Sequence, residues 1–378
     1  MGAMAFLGLF LAGLAHGADD SVGQIVEVRN DVRITRLTGR TIAAKVGSAL
    51  FPGDAIATGE KSAAGFSLGA GGYFQMGERS EATIDELSGL EGEGDDQPVL
   101  QQALGYLRSL ISVTGGDAQP VVHTATAVIG VRGTTFETIV SLGGETAVLV
   151  DEGVVELDNE RDVRAINAGE MAELDASTES VTAKPAPPRA ERDWNRWRDA
   201  RRSELIPKIP GILERYRERV EKWTGQYTDL LAGVREKHNG LSDAVGAVRT
   251  AKRRRNADEI RSAIDVLKDR RNRLFATLKD ARRRMNRFKT IGRQVRKVGV
   301  FSWRHRSAFD DDTRETIESH LAFFRQTGRT LKADTRYLVR DLRKTLREAR
   351  RIMRQAERRH RRLEKFRGAT LSESLTLR

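Results

Sequence analysis

The hydrophobic pattern changes its period part-way along the chain. From Gln24 onward, short apolar stretches follow one another: Ile25, Val26 and Val28 in one, Val32 and Ile34 in the next, with Asn30-Asp31 between them. Turn signals recur at Thr38-Gly39, Phe51-Pro52-Gly53-Asp54, Gly71-Gly72, Gly115-Gly116, Gly143-Gly144 and Glu152-Gly153. Between them lie β-branched segments such as Ala147–Val150 and Val154–Leu157. Many short runs with such punctuation predict an all-β sandwich, barrel or solenoid. One segment, Pro98–Ile111, fits a short helix or an irregular strand.

After a polar, proline-rich stretch at residues 176–190, read as a linker, the period becomes helical. Leu213, Tyr216, Val220, Trp223, Tyr227, Leu230 and Val234 step by three and four, and Leu241, Val245 and Val248 continue the pattern. Arg253-Arg254-Arg255-Asn256 breaks it, and Asn256 with Glu259 resembles a capping box opening a second helix. Its seam runs Ile260, Ile264, Leu267, Arg271, Leu274, Leu278, Ala281, Met285, Phe288, Gly292 and Val295. A third helix opens at Asp310-Asp311-Asp312-Thr313, with acids at the positive end of its dipole, and carries a seam from Ile317 to Ala356. Seams sustained over several heptads predict three long helices in an elongated antiparallel coiled coil or three-helix bundle. The apolar stripe is narrow and is interrupted at Arg271, Gly292, Gly328 and Thr335, so a partner or long Arg and Lys stems must cover part of it.

Composition sharpens the division. The 378 residues suit about two domains. Residues 1–190 hold 26 of the 35 glycines and a net charge of −14, whereas residues 191–378 carry +26, and no proline follows Pro210. This excludes a collagen-like chain and a polytopic membrane protein, and argues against a single globular enzyme domain. With no cysteine there is no disulfide framework, zinc ribbon or thiol nucleophile. The apolar run Ala5–Ala15, followed by Ala15-His16-Gly17 and a polar start at Ala18-Asp19-Asp20, reads as a secretory signal peptide over residues 1–17, cleaved between Gly17 and Ala18. It lacks the usual basic residues ahead of the run, and a buried apolar N-terminal element is the other reading.

Two blocks of the acidic half resemble a FecR-type domain. The first is Gly47-x-x-Leu50-x-x-Gly53-Asp54-x-Ile56-x-Thr58-Gly59 with Ser62-Ala63. The second runs from Val122 through Val128-Ile129-Gly130-Val131-Arg132-Gly133-Thr134-Thr135-Phe136, with Ala125 where the family usually has proline. The likeness continues through Val148, Val150, Gly153, Val155 and Ala168-Gly169-Glu170, and covers about residues 22–175. It implies an extracytoplasmic β domain. The family's namesake sensor also has an anti-sigma segment and a transmembrane helix ahead of the domain; here a signal peptide is expected in their place, so iron signalling is not implied. Gly53, Asp54, Gly130, Arg132, Gly133, Thr134 and Phe136 carry the motif. Arg132, inside an apolar stretch, predicts a guanidinium held near the core, as a clamp on the Gly130–Gly133 turn or as a ligand contact.

Other chemistry is thinly supported. Gly65-Phe66-Ser67-Leu68-Gly69 matches the nucleophile-elbow letters, but a turn and a strand are expected after it rather than a helix. The six histidines show no i, i+3 or i+4 pairing, and His123 reads as a strand residue. Glu91-Gly92-Glu93-Gly94-Asp95-Asp96 gathers four carboxylates without EF-hand spacing and reads as a solvated loop. No catalytic residue, cofactor or metal is therefore expected. The basic half predicts a polyanion partner: envelope phosphates or acidic polymers for an exported chain, nucleic acid for a cytoplasmic one. Its tail is strongly basic, with twelve Lys and Arg against three Glu from Arg343 to Arg367. Asp193-Trp194-Asn195-Arg196-Trp197 is expected to pack the linker onto the bundle. Docking of the acidic half onto the basic half is an equal alternative that would silence the basic face, and the coil can also pair between chains. The expectation is a periplasmic or secreted non-enzymatic binding, scaffold or sensory protein contacting an envelope polyanion or a protein partner. A nucleic-acid-binding protein, and more distantly a serine hydrolase using Ser67, are the alternatives.

Overall fold

The computed structural model describes residues 21–69, 72–86, 88, 99–112 and 120–376, without the side chains of 132, 332, 335–337 and 364–376. The signal-peptide reading with its Gly17 and Ala18, the acidic loop at 91–96 and the Arg132 guanidinium lie outside the described residues. A β-rich part is followed by long helices.

The first strands are β1 (Gly23–Arg29), β2 (Val32–Thr35), β3 (Thr41–Ala43), β4 (Ala49–Leu50) and β5 (Ala55–Thr58). They are followed by β6 (Ala63–Leu68), β7 (Gly72–Met76) and β8 (Glu81–Ile84). Then come β9 (Val99–Ile111), β10 (Val121–His123), β11 (Val128–Val140) and β12 (Thr146–Asp158), and finally β13 (Val163–Asn167), β14 (Glu170–Leu174) and β15 (Lys184–Pro185). The ambiguous segment is thus a strand, β9. Three 13-residue strands organise the domain. The first half of β9 pairs with β8 and β10, and its second half with β7 and β11. β11 and β12 likewise divide their partners, β12 turning from β14 to β13. These long strands therefore pass through two sheets that close on one core, a sandwich whose layers share three strands. The core holds Ile34, Ile56, Leu100 and Leu157 from one layer and Ile25, Phe66, Phe136 and Val150 from the other. Phe66 and Phe74 stack within it at 5.3 Å.

The bends explain glycine. Gly105, Gly133 and Gly153 sit where β9, β11 and β12 change layers, with φ of +86°, +60° and +81°. A Cβ at Gly105 would strike Ser80, and one at Gly153 would strike the Gly133 carbonyl. Only a residue free of Cβ adopts this backbone there without strain.

The helices are α1 (Trp194–Ser203), α2 (Leu205–Arg254), α3 (Ala257–Arg304) and α4 (Asp311–Thr376). Arg255, at φ +60°, ends α2, and the Asn256 side chain accepts from the Asp258 and Glu259 amides to start α3. Asp310 accepts from the Thr313 amide at 2.7 Å and starts α4. α3 runs antiparallel to both neighbours: Lys268 of early α3 pairs with Glu357 of late α4 at 3.2 Å, while Arg249 of α2 reaches Glu348. The seams pair within one chain, and α2, α3 and α4 share a core that includes Val234, Leu241, Leu267, Leu274, Leu342 and Ala349. No described helix is long and apolar enough to cross a membrane.

The stretch read as a linker is laid onto the β domain instead. Val181 is buried in the sandwich core, and Lys184–Pro185 pair with β14. Trp194 and Trp197 also pack on the β domain, not on the bundle. They cover Ile139, Ala147, Leu149 and Met171 on an outer face of the sandwich. Their indole N–H groups find acceptors there: Trp194 donates to Glu137 at 2.7 Å and Trp197 to Glu173 at 3.1 Å.

Candidate functional site

The motif residues form the frame. Gly53, at φ +90°, makes the turn before β5, and buried Asp54 accepts from the Phe51 amide at 2.8 Å and from the Arg36 guanidinium. Gly130 pairs with Glu156, and Arg132 pairs through its backbone with Val154. Gly133 makes the layer change, Thr134 donates to the Val154 carbonyl at 3.0 Å, and Phe136 fills the core. Ser67 lies in β6 opposite Tyr73 of β7, so strand follows strand and the geometry of a nucleophile elbow is missing.

On the outer face of one layer, β9 and β10 alternate. Leu100 and Val122 point into the core, while Gln101 and His123 point outward and are buried by α3. Here the two oppositely charged halves meet. Arg282 donates to Asp85 at 2.6 Å and to Ser88 at 3.1 Å. Arg287 pairs with Asp158 at 3.1 Å and with Glu160; Lys289 pairs with Glu86 at 3.0 Å and Lys297 with Glu81 at 2.5 Å. Gln101 donates to Asn286 at 2.7 Å and accepts from Arg293. Gln294 donates to the Ser141 carbonyl at 3.1 Å, and the Tyr216 hydroxyl donates to the Gly143 carbonyl at 3.2 Å, gripping the β11–β12 hairpin. Arg192, preceding α1, donates to Asp151 at 2.7 Å.

Burial sets the electrostatics of this contact. It works to raise the Asp85 carboxyl, but Arg282 and Lys289 beside it hold the group below the usual carboxylate range. His123 is pushed down to about 3, first by burial and then by Arg287, so it stays neutral. Asp85 Oδ1 and His123 Nδ1 find no hydrogen-bond partner among the described residues.

Docking uses the cations on one side of α3 and leaves others. On the other side, α2, α3 and α4 enclose a groove of about 2130 Å³. It opens along α4 between Phe324, which packs with one helical cluster, and Leu338, which packs with the next; among the described side chains between them Leu331 alone contributes to either cluster, partly buried. The seam interruptions Gly292 and Gly328 both line it, and a Cβ at either would meet nothing within 4 Å. The floor is apolar, with Val220, Met285, Val295, Ile317 and Phe324 buried. Thirteen Arg and Lys line the groove against three Glu. Among the described residues Arg296, Arg325, Arg329 and Lys344 make no ion pair, and all four are exposed. The seam glycines gave a sequence-level signal for this opening; which helix faces would border it could not be read.

No protein-family model matches the chain. No curated protein matches it either. Two crystal structures of a candidate anti-sigma factor from Parabacteroides distasonis ATCC 8503 are similar to part of it, at 15% and 16% identity, each with a TM-score of 0.30 and covering 35% of this chain. The chain spans 59% of the length of those neighbours. A likeness of that depth transfers no activity or partner.

Proposed function

We propose that the chain is a non-enzymatic, extracytoplasmic binding protein, in which a FecR-like β domain carries a basic helical arm that contacts an anionic component of the cell envelope. The observation that supports it most is the division of charge on the helices. Cations of α3 facing the sandwich are matched to Asp85, Glu86, Asp158 and Glu81, whereas Arg296, Arg325, Arg329 and Lys344 remain exposed along the groove. The docked set holds the arm in place, and the exposed set supplies an anion-attracting surface. Nucleic acid would use the same cations, but two of the four tryptophans are committed to the sandwich, where no base can stack on them.

The test is a titration of the full chain with a long sulfated polysaccharide and, separately, with DNA, at salt from about 50 to 200 mM. Polysaccharide binding that weakens linearly on a log–log salt plot is the expected result. No binding, or binding insensitive to salt, overturns the reading. Cell fractionation with an intact mass tests the compartment: a species beginning at Ala18 outside the cytoplasm is expected, and a cytoplasmic species that keeps its first residues, together with tighter binding to DNA, would replace the envelope ligand with nucleic acid.

A further inference from the structure

We propose that the groove between α2, α3 and α4 binds an anionic amphiphile, its alkyl chain along the apolar floor and its phosphate head against Arg296, Arg325 and Arg329; this rests on the reading that the arm's exposed cations bind anions. Three observations lead there. The groove, at about 2130 Å³, exceeds the roughly 300–1000 Å³ of ordinary small-molecule sites and has room for an extended alkyl chain with its head group. Its margin leaves apolar surface in water, with Trp303 72% and Val300 48% exposed. Its seam positions Gly292 and Gly328 are unfilled, so the space is built into the helices rather than left by a poor fit of large side chains.

Charge selects among occupants. A second copy of this chain would bring a helical half of net charge +26 against a groove already lined by thirteen cations. A polyanion without a chain would satisfy the arginines and leave the floor bare. An amphiphile with one anionic head satisfies both surfaces, each guanidinium fork donating two parallel N–H hydrogen bonds to the phosphate oxygens.

Octyl, decyl and dodecyl phosphate, each kept below its micelle concentration, serve as probes in calorimetric titrations of the full chain, with inorganic phosphate as the head alone. Each methylene should tighten binding about fourfold, so each two-carbon step should tighten it roughly fifteenfold, and inorganic phosphate should give no measurable heat. The double variant Gly292→Leu, Gly328→Leu fills the floor with good helix formers and should lose dodecyl phosphate by about a hundredfold while melting no lower than the parent. Arg325→Gln with Arg329→Gln, on exposed positions, should weaken every chain length by the same factor, about tenfold. Affinity independent of chain length overturns the proposal, as does a filled variant that binds like the parent. So does a parent dimer that dissociates in the filled variant, which would give the groove to a second copy. If alkyl phosphates fail while the sulfated polysaccharide still binds, this inference alone falls; if both fail, the reading of the arm falls with it.

Discussion

Replacing Arg282 by alanine tests the docking of the two halves at its most buried point. The Arg282 side chain is 8% exposed and Asp85 0%, and the Nε to Oδ2 distance is 2.6 Å. Removing the guanidinium leaves a carboxylate enclosed by protein, with Oδ1 already lacking a hydrogen-bond partner among the described residues. Breaking one side of a buried pair costs about 3–5 kcal/mol, whereas an exposed pair is worth about 0–1 kcal/mol. Arg282→Ala should therefore lower the urea midpoint by a large step, and Asp85→Leu with Arg282→Met should restore most of it, because neither charge then remains to be desolvated. The Asp85 carboxyl, held low in the folded chain, adds stability that is complete above its unfolded value near 3.9 and is lost as pH falls through the folded one. The loss in Arg282→Ala should accordingly shrink in acid. A cost below about 1 kcal/mol at neutral pH would mean that α3 does not cover this face, and the reasoning would fail.

Three further outcomes follow from the same contacts. His123, neutral in the fold to about pH 3 but titrating near 6.5 when unfolded, gives stability that is complete above about 6.5 and falls by about 1.4 kcal/mol per unit below it; at pH 5 the loss is about 2 kcal/mol. Parent and His123→Gln melts between pH 5 and 7 should differ by that slope, the contributions of His238 and His320, both lowered chiefly by burial, cancelling in the comparison. Gly144→Ala, at φ +92° and with its new Cβ against the Tyr216 hydroxyl, should cost about 2–3 kcal/mol in denaturant titrations, and adding Tyr216→Phe should recover part of it. Gly292→Ala and Gly328→Ala, entering open space inside helices, should each stabilise by about 1 kcal/mol in the same assay.

Local signals were legible before the structure. The Asn256 cap, the Arg253–Asn256 break and the acids at Asp310 are one-turn interactions, and the helices end and begin where they stand. The seams were equally plain, because heptad spacing depends only on neighbours a turn away. What could not be read was long-range pairing. Asp85 and Arg282 are 197 residues apart, and nothing in either neighbourhood marks the partner, although opposite net charges of the two halves made docking an equal alternative. The tryptophans near 194–197 misled for a related reason: helical context suggested the bundle, but Glu137 and Glu173 accept their N–H groups. Pro98–Ile111 stayed ambiguous because Gly105 bends the strand between two layers, and each half alternates against different partners. Of the groove, the gaps at Gly292 and Gly328 were visible, but not that both would face one cavity.

The most direct test is a crystal structure of the full chain grown with dodecyl phosphate. The expected density places the phosphate among Arg296, Arg325 and Arg329 and the chain along Val295, Ile317 and Phe324, with the Arg282–Asp85 contact intact. A ligand bound elsewhere, or α4 closed against α2 and α3 with the groove gone, would contradict the account.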